Sequence, residues 1–217
     1  MKQDVTTILL IRHGESEANE KGLFVGYSNP MLTSRGQKQA ELTARFIASS
    51  CPADVVYSSD LVRAYATGKV IAEALGVDIK IEEGLREING GAWEEVAFSE
   101  LVTRYAEDYG QWLTDIGHAK CTEGETVRKM SERVNRSIQK IVCENKGKTI
   151  AIATHGTPIR AMQCLWSGLS LDVMKDIPWA SNASVTIAEF TENESRITQI
   201  SYDEHLKGLR TVLPDNC

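Results

Sequence analysis

Short aliphatic runs alternate along this chain with longer segments of helical period. Ile8-Leu9-Leu10-Ile11 is apolar on both faces, too short for a helix, and followed at once by Arg12-His13-Gly14. That pattern predicts a buried parallel strand. Tyr27-Ser28-Asn29-Pro30 is turn chemistry. Thr33 or Ser34 then caps a helix reaching about residue 49, with Ala40, Ala44, Phe46 and Ile47 facing inward, and Cys51-Pro52 breaks it. Residues 54–58 read as a second strand. Asp60 is expected to cap a helix to about Leu75, where Gly76 ends it. Residues 77–81 form a third, shorter strand nearer a sheet edge.

The second half continues the alternation. Residues 83–91 read as a loop, 98–113 as a helix and 115–124 as a polar loop. A long helix over 125–143 carries Val127, Met130, Val134, Ile138 and Ile141 along one face. Lys146-Gly147 ends it before a strand at 148–154, which runs into His155-Gly156. Thr157-Pro158 starts a helix to about 167, since proline suits a first turn. Strands at 183–190 and 196–202 flank Thr191-Glu192-Asn193-Glu194, which predicts an antiparallel hairpin. Residues 203–217 form a tail without an assigned role. With no repeat and no Pro-, Gly- or Ser-rich linker, residues 1–217 read as a single α/β domain. The expected architecture is a three-layer sandwich: a mostly parallel central sheet, helices on both faces and a C-terminal antiparallel hairpin.

Composition narrows the function. Of 217 residues, 42% are hydrophobic and 25% charged, which argues against disorder. A net charge of −6 gives no electrostatic reason to expect nucleic acid or an anionic membrane as partner, yet leaves room for a small anion in a basic pocket. The first apolar run is too short to span a bilayer, and Met1-Lys2-Gln3-Asp4 before it lacks a signal-peptide layout. Cys51, Cys121, Cys143, Cys164 and Cys217 are odd in number and contain no C-x-x-C pair. They suggest free thiols in a reducing cytoplasm, not a disulfide frame or a zinc site. No clustered carboxylates suggest magnesium. No cofactor or metal is expected; a homo-oligomer is allowed but not specified.

The candidate chemistry lies where strands end. In open α/β sheets, ligands bind beyond the carboxyl ends of strands. Two strands end in His-Gly, at His13 and His155, which would put two imidazoles at one end of one sheet. Arg12 adds a hydrogen-bonding fork. Arg63 falls in the first turn of the helix after the second strand, where its side chain and the helix N-terminal amides can face an anion. Glu87 lies in the Gly-rich Leu85-Arg86-Glu87-Ile88-Asn89-Gly90-Gly91 loop, where a carboxylate can act as a general acid. Singly, each has a plainer reading: a structural histidine, a solvated arginine, a surface glutamate.

As a set, these stretches resemble the histidine phosphatase superfamily, the phosphoglycerate-mutase-like group. Arg12-His13-Gly14-Glu15 matches its signature, with Asn19 in register. The 58–67 stretch matches its second-arginine motif, 85–94 resembles the segment carrying the acid, and His155-Gly156 with Ile159-Arg160 matches the second histidine motif. Gly124-Glu125-Thr126 with Arg133, and Asn182-Ala183-Ser184-Val185, extend the likeness. The chain departs from the pattern at Asn29, where an acid is common, at Glu95, where Gly usually follows the Trp-Glu pair, and at Thr122 and Thr126.

The resemblance implies that His13 is the nucleophile and becomes a phosphohistidine. Arg12, Arg63 and His155 then hold the transferring oxygens, with Asn19 and Gly156 also binding phosphate. Glu87 protonates the leaving alkoxide and later deprotonates water, with Glu94 and Glu15 the next carboxylates to consider. The expected activity is metal-independent hydrolysis of a small phosphorylated metabolite. The alternative is a cofactor-dependent phosphoglycerate mutase. Those enzymes carry a longer insert with a paired arginine and a lysine, whereas 88–124 here offers Arg104, His118 and Lys120. A third reading, a non-catalytic phospho-ligand-binding module, usually involves loss of the nucleophile or an arginine. Phe24, Tyr27, Phe98, Tyr105 and Trp112 are candidates for the leaving-group side. The sequence does not choose the phosphomonoester.

Overall fold

A computed structural model of the protein describes residues 5–211. The chain runs β1 (Thr6–Arg12), α1 (Glu17–Lys21), α2 (Ser34–Ser50), β2 (Val55–Ser58), α3 (Val62–Leu75), β3 (Ile79–Ile81), α4 (Phe98–Arg104) and α5 (Ala106–Thr114). It continues with α6 (Val127–Glu144), β4 (Thr149–Thr154), α7 (Gly156–Trp166), β5 (Val185–Phe190) and β6 (Ser195–Tyr202). The strands form one sheet in the order β3-β2-β4-β1-β5-β6. β3, β2, β4 and β1 pair in parallel, while β5 and β6 are antiparallel to their neighbours. The mostly parallel sheet, the edge position of β3 and the closing antiparallel pair all match the sequence expectation.

Strand alternation divides the apolar residues between two cores. Ile8 and Leu10 of β1, Val55 and Tyr57 of β2 and Ile150 and Ile152 of β4 pack on the face covered by α6 and α7. Leu9, Ile11, Val56 and Ala151 point the other way, onto Ala44 and Ile47 of α2 and Ile71 and Ala72 of α3. Because both faces are covered, the strands read as continuous apolar runs. The predicted α6 face is fully buried, from Val127 to Ile141. Each such side chain stabilises by about 1.5–3 kcal/mol relative to exposure. In α2, Ala40, Ala44 and Ile47 are buried, and Phe46 packs at the rim of its core.

Several local expectations give way. Asp60 caps nothing: α3 begins after Leu61 without a side-chain cap, and Asp60 accepts from Arg86 Nε at 2.7 Å. The helix expected over 98–113 is two helices, divided at Tyr105, whose ψ of 46° leaves helical space. The 83–91 loop holds a 3-10 turn at Glu83–Leu85, a second lies just beyond its expected end at Gly91–Trp93, and another sits at Ile116–His118. The final strand pair begins later than expected, at Val185, because Ala183 has a φ of +59°. Helix α1, capped by Ser16, was not anticipated. In the tail, a 3-10 segment spans Glu204–Leu209; residues 212–217, with Cys217, lie outside the described part.

Candidate active site

β2, β4 and β1 are adjacent and parallel, so their carboxyl ends gather Ser58-Ser59, His155 and Arg12-His13 at one edge of the sheet. The His13 and His155 ring centroids are 5.3 Å apart. His13 is held on both sides: its N–H donates to the Thr154 carbonyl at 3.0 Å, and its carbonyl accepts from Asn182 Nδ2 at 3.1 Å. Its Nδ1 lies 2.7 Å from the Gly14 carbonyl, which can only accept, so Nδ1 carries the proton and Nε2 the lone pair. Burial, followed by the charges of Arg63 and Arg12, pulls His13 well below the usual histidine pKa and keeps it neutral. Gly14 is required by close approach. A Cβ there would sit 2.4 Å from the Gly36 carbonyl oxygen at the start of α2.

Arg63 is a buried residue, not the solvated helix arginine of the plain reading. Its Nε is 3.3 Å from His13 Nε2, while its two terminal nitrogens donate to the Ser28 and Gly26 carbonyls, both at 2.8 Å. Burial lowers its pKa to about 10, which still leaves it charged at neutral pH. The 26–28 turn that receives Arg63 is itself fixed by Glu94. That carboxylate accepts from the backbone N–H groups of Gly26, Tyr27, Ser28 and Gly90 at 2.7–3.1 Å. Glu94 is therefore a clasp rather than a proton donor. Glu15 is also occupied, accepting from Thr33 Oγ1 at 2.9 Å and lying 3.6 Å from Arg35.

Arg12 is buried beside His13 and donates to the Ala180 carbonyl. Asn19 serves α1 and the site together. Its Oδ1 accepts from Ser16 N and Asn182 Nδ2 at 3.0 and 3.2 Å, which assigns the amide and leaves Nδ2 as the donor it can offer the cleft. His155 is fully buried, with Nε2 2.9 Å from Ser59 Oγ. Burial and then Arg63 lower its pKa well below the ordinary value. Glu87 is buried too, accepting from Ile88 N at 2.9 Å and from Thr157 N, at the start of α7, at 3.3 Å. Burial outweighs these donors and the Arg63 charge, so its carboxyl pKa is raised. Arg133 supports this loop by donating to the carbonyls of Gly84, Arg86 and Glu87 while pairing with Glu125 at 2.8 Å.

One cleft is lined by Arg12, His13, Asn19, Arg63, Glu87 and Gly156 at its polar end. Its other wall contains Phe24, Phe98 and Trp112, as the sequence suggested, together with Leu23, Val25 and Trp179. Tyr27 and Tyr105 are not in that lining. Tyr27 packs under the Arg86 guanidinium at 5.2 Å, and the Tyr105 hydroxyl donates to the Ala92 carbonyl. Trp179 was missed because 168–182 has no periodicity. The neighbouring signal was Arg160, which stacks on the Trp179 ring at 4.5 Å and donates to the Ile177 and Lys175 carbonyls. Arg104, His118 and Lys120 are exposed and outside the lining. Among the described residues, no group of three His, Cys, Asp or Glu side chains is placed to hold a metal ion.

The arrangement joins a neutral imidazole lone pair, two guanidinium groups and a buried carboxyl of raised pKa. Comparison with known proteins finds phosphatases among the similar chains. The model of the "Histidine phosphatase superfamily (branch 1)" matches residues 8–203. Phosphoserine phosphatase 1 of Hydrogenobacter thermophilus is 31% identical over 92% of this chain and 93% of its own length. The adenosylcobalamin/alpha-ribazole phosphatase of Salmonella typhimurium is 34% identical over 67% of this chain and 72% of its own. In fold, YhfR of Bacillus stearothermophilus superposes with a TM-score of 0.88 at 24% identity, covering 93% of this chain and all of that one.

Proposed function

This chain belongs to the histidine phosphatase superfamily, and we propose that it is a metal-independent phosphomonoester phosphatase acting on a small phosphorylated metabolite through a phosphohistidine. The observation that carries the reading is the fixed tautomer of His13, with Nδ1–H on the Gly14 carbonyl and the Nε2 lone pair facing Arg63. In this reading Nε2 forms the bond to phosphorus as the ester P–O bond breaks. The Nδ1–H bond to Gly14 steadies the positive charge that develops on the ring. Arg12, Arg63 and His155 hold the equatorial oxygens, with Asn19 and the Gly156 backbone region beside them. Phosphoryl transfer asks the protein chiefly for positioning and charge stabilisation, which the two arginines supply.

Glu87, whose carboxyl pKa is raised by burial, gives its proton to the departing alkoxide. It then takes a proton from the water that attacks phosphohistidine, releasing inorganic phosphate and neutral His13. The exposed positions of Arg104, His118 and Lys120 favour hydrolysis over the mutase alternative, because among the described residues the cations lining the cleft are Arg12 and Arg63, both assigned to the phosphate. The retained nucleophile and arginines favour an enzyme over a binding module. A single sheet with a core on each face supports reading 1–217 as one domain. Among the described residues no helix is long and apolar enough to cross a membrane, and Cys51, Cys121, Cys143 and Cys164 are free thiols. The thiols favour a reducing compartment, proposed to be the cytoplasm.

The test is to quench the enzyme during turnover in base and in acid. A phosphoramidate survives base and is lost in acid. A base-stable, acid-labile phosphoenzyme absent from His13→Ala is expected; the same label retained in His13→Ala would overturn the assignment.

A further inference from the structure

Beyond its phosphate end, the cleft is a wall of Leu23, Phe24, Val25, Phe98, Trp112 and Trp179. Among the described residues, the charged side chains in the lining are Arg12, Arg63 and Glu87, which belong to the phosphate end. Ser16 and Thr211, which share the lining, are neutral. The aromatic part of the wall is built rather than incidental. Phe24 meets Trp93, Phe98 and Trp112 edge-on at 5.3–6.0 Å. Trp112 and Trp179 lie within 24° of parallel, 6.4 Å apart. Arg160 stacks on Trp179 and hydrogen-bonds the carbonyls of residues 175 and 177, fixing the segment that carries the ring. That guanidinium is thus committed beneath the indole.

A leaving group with its own carboxylate would lose water against this wall without gaining a cation, and unpaired buried charge is strongly disfavoured. A flat apolar ring would replace water on aromatic faces already ordered by packing. Resting on the phosphatase reading, we infer that the preferred substrate is a phosphomonoester whose leaving group is uncharged and carries a flat, apolar ring, with Trp179 determining that preference and Arg160 positioning Trp179.

The experiment compares benzyl phosphate with phosphoserine and 3-phosphoglycerate. All three release alkoxides, so the proton demand on Glu87 is similar. kcat/KM is expected to favour benzyl phosphate by at least about tenfold. Trp179→Ala should raise KM for benzyl phosphate roughly tenfold, and by a clearly larger factor than it raises KM for 3-phosphoglycerate. Trp179→Phe should retain most of the preference. Arg160→Lys should keep it better than Arg160→Met, with the loss again in KM. Equal or better turnover of the carboxylate esters by the unmodified enzyme, or a preference that survives in Trp179→Ala, would overturn the inference while leaving the phosphatase reading intact. No hydrolysis of any ester, para-nitrophenyl phosphate included, would overturn both.

Discussion

Arg63 donates its Nε–H to His13 Nε2 across 3.3 Å, so the lone pair assigned to attack is capped by the arginine assigned to hold the phosphoryl group. An entering phosphate must draw that N–H onto its own oxygen, and doing so uncovers the nucleophile. The same guanidinium also bonds the Gly26 and Ser28 carbonyls. A lysine ammonium cannot span those three directions at once. Arg63→Lys is therefore expected to lower kcat/KM by about 10²–10³-fold despite keeping the charge. Near-normal turnover in this variant would show that charge alone suffices.

As the proposed acid, Glu87 has to be protonated when the ester bond breaks. Its pKa is raised, so phosphorylation of the enzyme by an alkyl ester should hold at low pH and fall as pH rises through that value. His13 has a lowered pKa and stays neutral well below the ordinary histidine range, so it does not impose an opposing limb near neutrality. Glu87→Gln cannot deliver a proton. In single-turnover phosphorylation it should cost roughly 10²–10⁴-fold with an alkyl ester, far less with para-nitrophenyl phosphate, and remove the high-pH fall. Equal losses with both esters would exclude Glu87 as the acid.

Glu94 supplies the contrast. Four backbone amides point at its carboxylate, two on each oxygen. Glu94→Gln turns an NH₂ group toward two of them. Stranding those donors is expected to cost roughly 2–4 kcal/mol and to lower Tm by on the order of 5–15 °C. As the 26–28 turn loosens, Arg63 loses its seat, so activity should fall by the same factor for alkyl and aryl esters. A loss confined to poor leaving groups would instead return Glu94 to the role of acid.

Glu95 sits at a φ of +62°, in the left-handed region, and is exposed while its N–H bonds the Phe24 carbonyl. Glycine suits this backbone, and Glu95 adopts the left-handed conformation where the resemblance leads one to expect glycine. Left-handed strain and the greater chain entropy of glycine oppose each other. Glu95→Gly should raise stability by up to about 1 kcal/mol, read as a higher denaturant midpoint at unchanged slope. A lowered midpoint would mean that the carboxylate contributes more than the strain removes.

The strands and the histidines at their ends were legible because a sheet covered on both faces requires unbroken apolar runs, and such runs stop abruptly at Arg12-His13 and His155. Arg63 and Glu87 were legible only through their places relative to those strands. What escaped the sequence depends on partners far along the chain. Asp60 has the side chain of a helix cap, but Arg86 claims it. Nothing in the helix-compatible run around Tyr105 signals that the backbone turns there. Glu94 looks like a second candidate acid by residue type, and only the direction of four amides reveals a clasp. Trp179 lies in a segment without period, so no pattern could aim it at the cleft.

The central place of β1 also bears on synthesis. It pairs with β4, Thr7 opposite Thr149, and with β5, Leu9 opposite Ile187. β1 thus lies between two strands that follow it far along the chain. The backbone of His13 is anchored by Thr154 and Asn182, so the proposed nucleophile is not held in place until both have emerged. Pairings of such sequence separation form slowly, and an unpaired Ile8-Leu9-Leu10-Ile11 is a sticky edge in the meantime. Until β4 and β5 have emerged, β1 and the residues it carries are unpaired and exposed to aggregation.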